Sequence, residues 1–201
     1  MIQIIFGSPV VIFKVDNTQE IFPLSTYNET VNHLVDLDNT FVEHPYTRGG
    51  KICTTDLNSK ISIAEISGIS VLWNFLKDVA LKYAHLYSDT PVKDLTFRYS
   101  WINLTFQGCE IKNHNDKDSD VEKSIVVTFY PKVPAGGANL VFIHNSTYGE
   151  WSSERLEKDL VQLKIEEGNI VIFDNLTLHA VTTHNVDMPR LCIATEFTIE
   201  K

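Results

Sequence analysis

The sequence predicts a mainly β fold with supporting α-helices, a double-sheet jelly roll flanked by N-terminal helices. Three observations lead there. After Pro91 the apolar period becomes two, in about eight short runs separated by turn residues. Before Pro91 the strongest pattern is helical, a broad apolar stripe over residues 69–87. No internal repeat, low-complexity tract or linker divides the chain, so 1–201 reads as one domain, with strands, helices and a lid loop over 1–90 and a jelly-roll core over 91–201.

Taken in order, residues 2–6 and 10–15 are two β-rich runs around Gly7-Ser8-Pro9, the pattern of a hairpin. A helix is predicted at 26–38, with Thr26 or Asn28 as cap and Val31, Leu34 and Val35 at helical spacing. Residues 43–60 are polar, contain Gly49-Gly50 and follow neither period, so they read as a long loop, and such loops are more often functional than idle. In the helix at 69–87, Val71, Leu72, Phe75, Leu76, Val79, Ala80 and Tyr83 form the stripe. The β-like runs fall at 94–106, 109–114, 124–130, 139–143, 161–165, 169–173, 178–183 and 190–199, punctuated by Gly108, Pro134, Gly136-Gly137, Gly149, Gly168 and Pro189. Trp73, on the helix stripe, and Trp101, alternating with apolar neighbours, are expected in the core.

Charge and cysteine usage exclude several classes. Lys+Arg 17 against Asp+Glu 26 leaves a net charge of -9, which disfavours sequence-blind binding to a phosphate backbone. Cys53, Cys109 and Cys192 are odd in number and far apart, so they make neither a disulfide framework nor a CxxC zinc site. A reducing, cytoplasmic setting is expected. The first residues lack a basic n-region, and Pro9 and Lys14 interrupt the apolar run, so they read as strands rather than a signal peptide. No run approaches the roughly 18 apolar residues of a membrane span.

Two segments carry chemistry. In KNHNDKDSD, His114 and Asp116 are two apart, and on a strand end that spacing turns both side chains to one face. A His-x-Asp pair alone recurs by chance in a chain with seven histidines. The second segment, 166–197, has an apolar strand at 169–173, an Asp174-Asn175 turn, His179 opening the next strand and Arg190 opening the last. On that last strand Arg190, Cys192, Ala194 and Glu196 share a face, so small residues lie beside an arginine, as a pocket for a compact dicarboxylate requires. Two histidines and one carboxylate match the facial triad that binds Fe(II) with positions left open. A structural zinc site would close the fourth position, and neither His184 in its polar turn nor Cys109 does so convincingly.

With these residues in hand, 95–197 resembles the double-stranded β-helix core of the Fe(II)/2-oxoglutarate-dependent dioxygenases, a cupin-like jelly roll. His114, Asp116, His179 and Arg190 match the family's HxD…H…R pattern in order and spacing. The approach from Gly108 to His114, the Gly136–Phe142 strand and the Gly168–Phe173 strand match as well, and the interval from His179 to Arg190 is similar to that of prolyl-hydroxylase-like members. The resemblance implies Fe(II), 2-oxoglutarate and O2 as cofactor and co-substrates. It assigns His114, Asp116 and His179 to the metal and Arg190 to the distal carboxylate, with Asn103, Tyr130 and Thr198 as further co-substrate contacts. A hydroxyl residue often follows the family's arginine by two positions, and here that place is Cys192. The implied reaction hydroxylates a peptidyl side chain of prolyl type, or a small molecule, and converts 2-oxoglutarate to succinate. Substrate contacts are expected from Tyr46 and Arg48 in the 43–60 loop and from Tyr148 and Trp151 in the 143–155 segment.

Two alternatives stand beside this. Asn103, Gly108 and the His114–Asp118 run are similar to the corresponding segment of AlkB-type dealkylases of nucleic acids. Thr105, however, stands where that family has tyrosine, no second arginine follows Arg190, and the charge of -9 suits a polyanion poorly. Nucleic acid is therefore not the expected partner, and neither is a membrane. The other alternative is a metal-binding, cupin-like jelly roll that is not an oxygenase, for which the arginine would have no use.

Overall fold

The structure, a computed structural model, describes residues 2–36, 47–49, 52–54, 70–88, 91–116, 124–144 and 159–200. The chain begins with β1 (Ile2–Ile5) and β2 (Ser8–Lys14), paired antiparallel as the Gly7-containing turn predicts. Helices α1 (Thr18–Ile21) and α2 (Leu24–Asp36) follow. Where a continuous loop was expected over 43–60, two short strands occur, β3 (Thr47–Arg48) and β4 (Ile52–Thr54). They are edge strands of two and three residues, too short to show a period. Between them Gly49 sits at φ +62°, and a Cβ there would lie 2.6 Å from the Gly108 carbonyl oxygen, so only glycine allows this approach.

Helix α3 (Ser70–Tyr87) matches the predicted 69–87. Its buried stripe is Leu72, Leu76, Ala80, Tyr83 and Ala84, and the Tyr83 hydroxyl donates to the Pro9 carbonyl at 2.8 Å. The remainder is β: β5 (Asp94–Thr105), β6 (Glu110–His114), β7 (Ser124–Lys132), β8 (Leu140–Ile143), β9 (Leu160–Leu163), β10 (Asn169–Asp174), β11 (His179–Val181) and β12 (Arg190–Glu200).

These last eight strands are nested. β8 pairs with β9, β7 with β10, β6 with β11 and β5 with β12, all antiparallel. The chain thus runs out along four strands and returns along four, switching sheets as it goes. The result is a seven-stranded sheet in the order β1-β2-β10-β7-β12-β5-β4 and a five-stranded sheet in the order β3-β6-β11-β8-β9. This is the predicted jelly roll.

Strand parity sorts the side chains into two cores. Ile125, Val127 and Phe129 of β7, Ile170 and Ile172 of β10, and Leu191, Ile193 and Phe197 of β12 face outward, where α3 and Phe22 cover them. Val126 and Tyr130, Val171 and Phe173, and Cys192 face inward, meeting Leu140, Phe142 and Val181 between the sheets. Central strands are consequently apolar on both faces, and the alternation seen in the sequence is weakest there. Among the described residues no helix is long and apolar enough to cross a membrane.

The outer core ties the helices to the sheet that carries Arg190. Leu76 is fully buried in it, so Leu76→Ala should cost about 2–5 kcal/mol by lost transfer energy and a residual cavity. A chemical-denaturation midpoint that falls while the slope of the transition is kept is the expected reading; an unchanged midpoint would contradict this packing.

Candidate active site

Strand register brings the first cluster together. In the β6–β11 pair, His114 and His179 are direct partners, although roughly 65 residues separate them, and their ring centroids are 4.3 Å apart. Each ring is oriented the same way. Nδ1 of His114 lies 2.9 Å from the Lys112 carbonyl and Nδ1 of His179 lies 3.0 Å from the Thr177 carbonyl, so in both the Nδ1–H donates to backbone two residues earlier. The lone pair is then on Nε2 of both rings. Asp116 follows β6, its backbone N–H donating to the Asn175 carbonyl at 3.1 Å. Its Oδ1 is 3.7 Å from Nε2 of His114 and its Oδ2 is 3.6 Å from Nε2 of His179. The three ligand atoms lie within 4.8 Å of one another, and no other such group occurs among the described residues.

Two imidazole lone pairs and a carboxylate facing each other without a cation are mutually unfavourable. Oδ2 of Asp116 is buried and accepts no hydrogen bond. Burial lifts the Asp116 carboxyl to about 6, against the pull of His114, and the nearby Glu196 carboxylate adds to the rise. Burial also drives His179 down to about 4, opposed by its bond to Thr177. Near neutral pH His179 is therefore a neutral imidazole and Asp116 a carboxylate, and with Nε2 of His114 they make the donor set a divalent transition metal takes. The Phe173 ring, 4.9 Å from that of His179 by centroids, backs the cluster on its apolar side.

Arg190 occupies a second position inside the same barrel. It opens β12 opposite Thr105 of β5 and is 1% exposed, with Cζ 4.6 Å from the Tyr130 ring centroid. Nε and Nη2 of Arg190 and Oγ1 of Thr105 are buried and have no hydrogen-bond partner. A guanidinium this deep with donors unmet is costly unless an anion joins it, and its fork suits a carboxylate. Cys192 lies one inward step along, with its thiol pushed up to about 11 by burial, and Asn103 stands opposite it.

The inward face of β12 then acts as a ruler, running Arg190, Cys192, Ala194, Glu196 against Thr105, Asn103, Trp101, Tyr99 of β5. The triad adjoins the Glu196 end of this row: Glu196 accepts from the Ser124 hydroxyl, the Ser124 N–H donates to the Asn175 side chain, and the Asn175 carbonyl holds the Asp116 N–H. At about 3.3 Å per residue Glu196 is some 20 Å along the strand from Arg190.

The remaining sequence expectations divide. Thr198, expected near the co-substrate, is eight residues beyond Arg190 on an extended strand, about 26 Å away, which puts it out of reach. Trp101, expected in the core, packs half-buried against the inner core from β5, with its ring 5.4 Å from Tyr99. Arg48 lies on β3 at the margin of the five-stranded sheet, 75% exposed and 3.9 Å from Glu110, lining a surface groove with Lys112 and Thr183. Tyr46, Tyr148, Trp151 and the Trp73 side chain lie outside the described residues. His184 is no surface histidine: it is fully buried, its Nδ1 accepts from Ala138 N–H, and its Nε2 is 2.8 Å from the Met188 carbonyl, which ties down the loop that leads into Arg190.

Sequence reasoning passed over Thr105 as a donor beside Arg190, and Asn175 and Thr177, whose carbonyls hold Asp116 and His179. A backbone carbonyl leaves no residue-type signal. The signal for Thr105 lay in the strand pairing alone.

No family model and no curated protein matches this sequence. Solved structures do match in fold. A prolyl-4-hydroxylase of Pseudomonas putida aligns over 96% of this chain and 93% of its own, at 12% identity and a TM-score of 0.55. HygX of Streptomyces hygroscopicus, solved with nickel, 2-oxoglutarate and hygromycin B, aligns over 94% and 82%, at 12% identity and a TM-score of 0.57. OsALKBH1 aligns over 92% and 96%, at 13% identity and a TM-score of 0.55. The chain has the double-stranded β-helix fold of the 2-oxoglutarate/Fe(II) oxygenases. Three such differently described structures score alike, so the likeness is one of fold.

A stability test follows from the buried carboxylate. Because the folded-state pKa of Asp116 is raised, its ionisation weakens the metal-free fold as pH rises from about 4 to about 6. Asp116→Asn removes that penalty. The metal-free variant should be more stable than the parent at pH 7.5 by on the order of 1–3 kcal/mol, and the difference should vanish below pH 4. Thermal unfolding in chelator across that pH range checks both halves.

Proposed function

We propose that this protein is a non-haem Fe(II)/2-oxoglutarate-dependent dioxygenase that hydroxylates a peptidyl or small-molecule substrate. The observation that carries the reading is the pairing, in one barrel, of a three-ligand cluster with a buried Arg190 whose Nε and Nη2 lack partners. Nε2 of His114, Nε2 of His179 and the Asp116 carboxylate would hold the metal on one face. Arg190 would grip the distal carboxylate of 2-oxoglutarate, with Thr105 as a second donor, Tyr130 as the wall beneath it and Asn103 at its flank. When bound, Fe(II) and 2-oxoglutarate would supply the oxidative chemistry: one oxygen atom of O2 goes to succinate as the keto acid loses CO2, and the other converts a substrate C–H bond to C–OH.

The chain's own residues do the rest. Carbonyls of Lys112 and Thr177 keep both imidazoles in the metal-binding tautomer, and Phe142 and Phe173 keep the inner wall dry. A purely metal-binding jelly roll would not need Arg190 in its interior. The substrate preference rests on charge and on likeness to the prolyl-4-hydroxylase. A net charge of -9 opposes a polyphosphate partner, which weighs against nucleic acid despite the likeness to OsALKBH1.

Anaerobic addition of Fe(II) and 2-oxoglutarate should produce a visible charge-transfer band that His179→Ala abolishes. Arg190→Ala should raise the 2-oxoglutarate concentration needed for half of that band by about 10- to 100-fold, the worth of a charged hydrogen-bonded contact. No band from the parent protein would sink the assignment, and an unshifted 2-oxoglutarate requirement in the arginine variant would remove Arg190 from it.

A further inference from the structure

Glu196 is a buried carboxylate that the proposed chemistry leaves unused. It lies on the same inward face of β12 as Arg190, fully buried, six residues beyond it, and is linked to Asp116 through Ser124 and Asn175. Along the ruler the co-substrate would fill the stretch between Arg190 and the metal ligands, so the Glu196 level is where a substrate would meet the site. Oε1 accepts from the Ser124 hydroxyl and from Nη1 of Arg98 at 3.1 Å. Oε2 is buried with no partner.

The local backbone is built around this group. Glu196 pairs with Tyr99, and the next residue, Phe197, pairs with Phe97, so Arg98 is an extra residue in a β-bulge. The bulge lets consecutive residues of β5 serve one carboxylate, with Arg98 bonded to it and Tyr99 opposite it. Burial, then Glu196, then Asp116 raise the Tyr99 phenol, which keeps it neutral. Trp101 continues the same face of β5, its ring tilted 35° to that of Tyr99. Arg98 already pairs with Oε1 and lies 5.2 Å over the Tyr99 ring centroid, so this corner holds one nitrogen cation, and Oε2 with the Trp101 ring is left to take a second.

We infer that Glu196, with Tyr99 and Trp101, forms the substrate subsite and selects substrates that carry a protonated amine. The inference rests on the dioxygenase reading and deepens it. Arg98 and Ser124 hold Oε1, which leaves Oε2 directed to the incoming ammonium group. The acidic balance of the chain favours the same class of ligand.

The experiment starts from the Fe(II)–2-oxoglutarate complex, whose visible band establishes that metal and co-substrate bind. Lysine, spermidine and an aminosugar are then compared with their N-acetylated counterparts as stimulators of succinate release above the substrate-free rate. At least one free amine should stimulate and its acetylated form should not. Glu196→Gln should raise the half-stimulating amine concentration about tenfold or more while the band is retained. A complex that shows the band but is stimulated by no amine, or equally by the acetylated forms, overturns the inference. So does an unchanged half-stimulating concentration in the glutamine variant. Absence of the band in the parent protein instead brings down the dioxygenase reading itself.

Discussion

Nested antiparallel pairing is the constraint on which everything else in this molecule depends. The triad exists because β6 and β11 are joined in a register that sets His114 against His179. A one-residue slip would turn one imidazole out of the barrel and bring its neighbour in. That register is itself fixed from outside. β7·β10 and β8·β9 lie within it in the nesting order, β5·β12 closes around it, and the His184 bonds hold the turns at the arginine end. Such pairings join residues far apart in sequence, so their closure entropy must be met before the site's geometry appears.

Along β12 the interior is graded in charge. A guanidinium with unmet donors lies at one end, small residues in the middle and a carboxylate with one unmet oxygen further along, where Ser124 and Asn175 link it to Asp116. Each of these buried charges is expensive in a low-dielectric interior, and the fold retains three of them within one strand length. Apolar packing on both faces of β7, β10 and β12 supplies the offset. Buried polar groups that the chain leaves unpaired are costly, and Arg190, Asp116 and Glu196 are among them here.

Much of this was legible in the sequence, for reasons that differ between elements. The α3 stripe is amphipathic over five turns, so periodicity alone located it to within a residue. Strands β5 to β12 were found through alternation and turn residues. Strands β3 and β4 were missed because two or three residues at a sheet edge contain no period. The helix predicted at 26–38 is Leu24–Asp36, preceded by the single turn of α1, and that offset reflects Pro23, which enters the first turn without an N–H to lose. Among site residues, His114, Asp116, His179 and Arg190 announced themselves by type and spacing. Thr105 and Glu196 did not, since a threonine in a strand and a glutamate near a terminus are ordinary until their partners are known.

The sequence by itself determined the donor chemistry and the parity of the strands: which residues offer imidazole, carboxylate and guanidinium, and that Arg190, Cys192, Ala194 and Glu196 share a face. Both follow from local covalent geometry, the two-residue repeat of an extended chain. Tertiary structure decided which distant faces meet, and therefore which donors remain unmet. It set Thr105 beside Arg190, removed Thr198 from that pocket by strand length, and put Tyr99 and a bulged Arg98 against Glu196. Burial and pairing are properties of several strands at once, so no single segment encodes them.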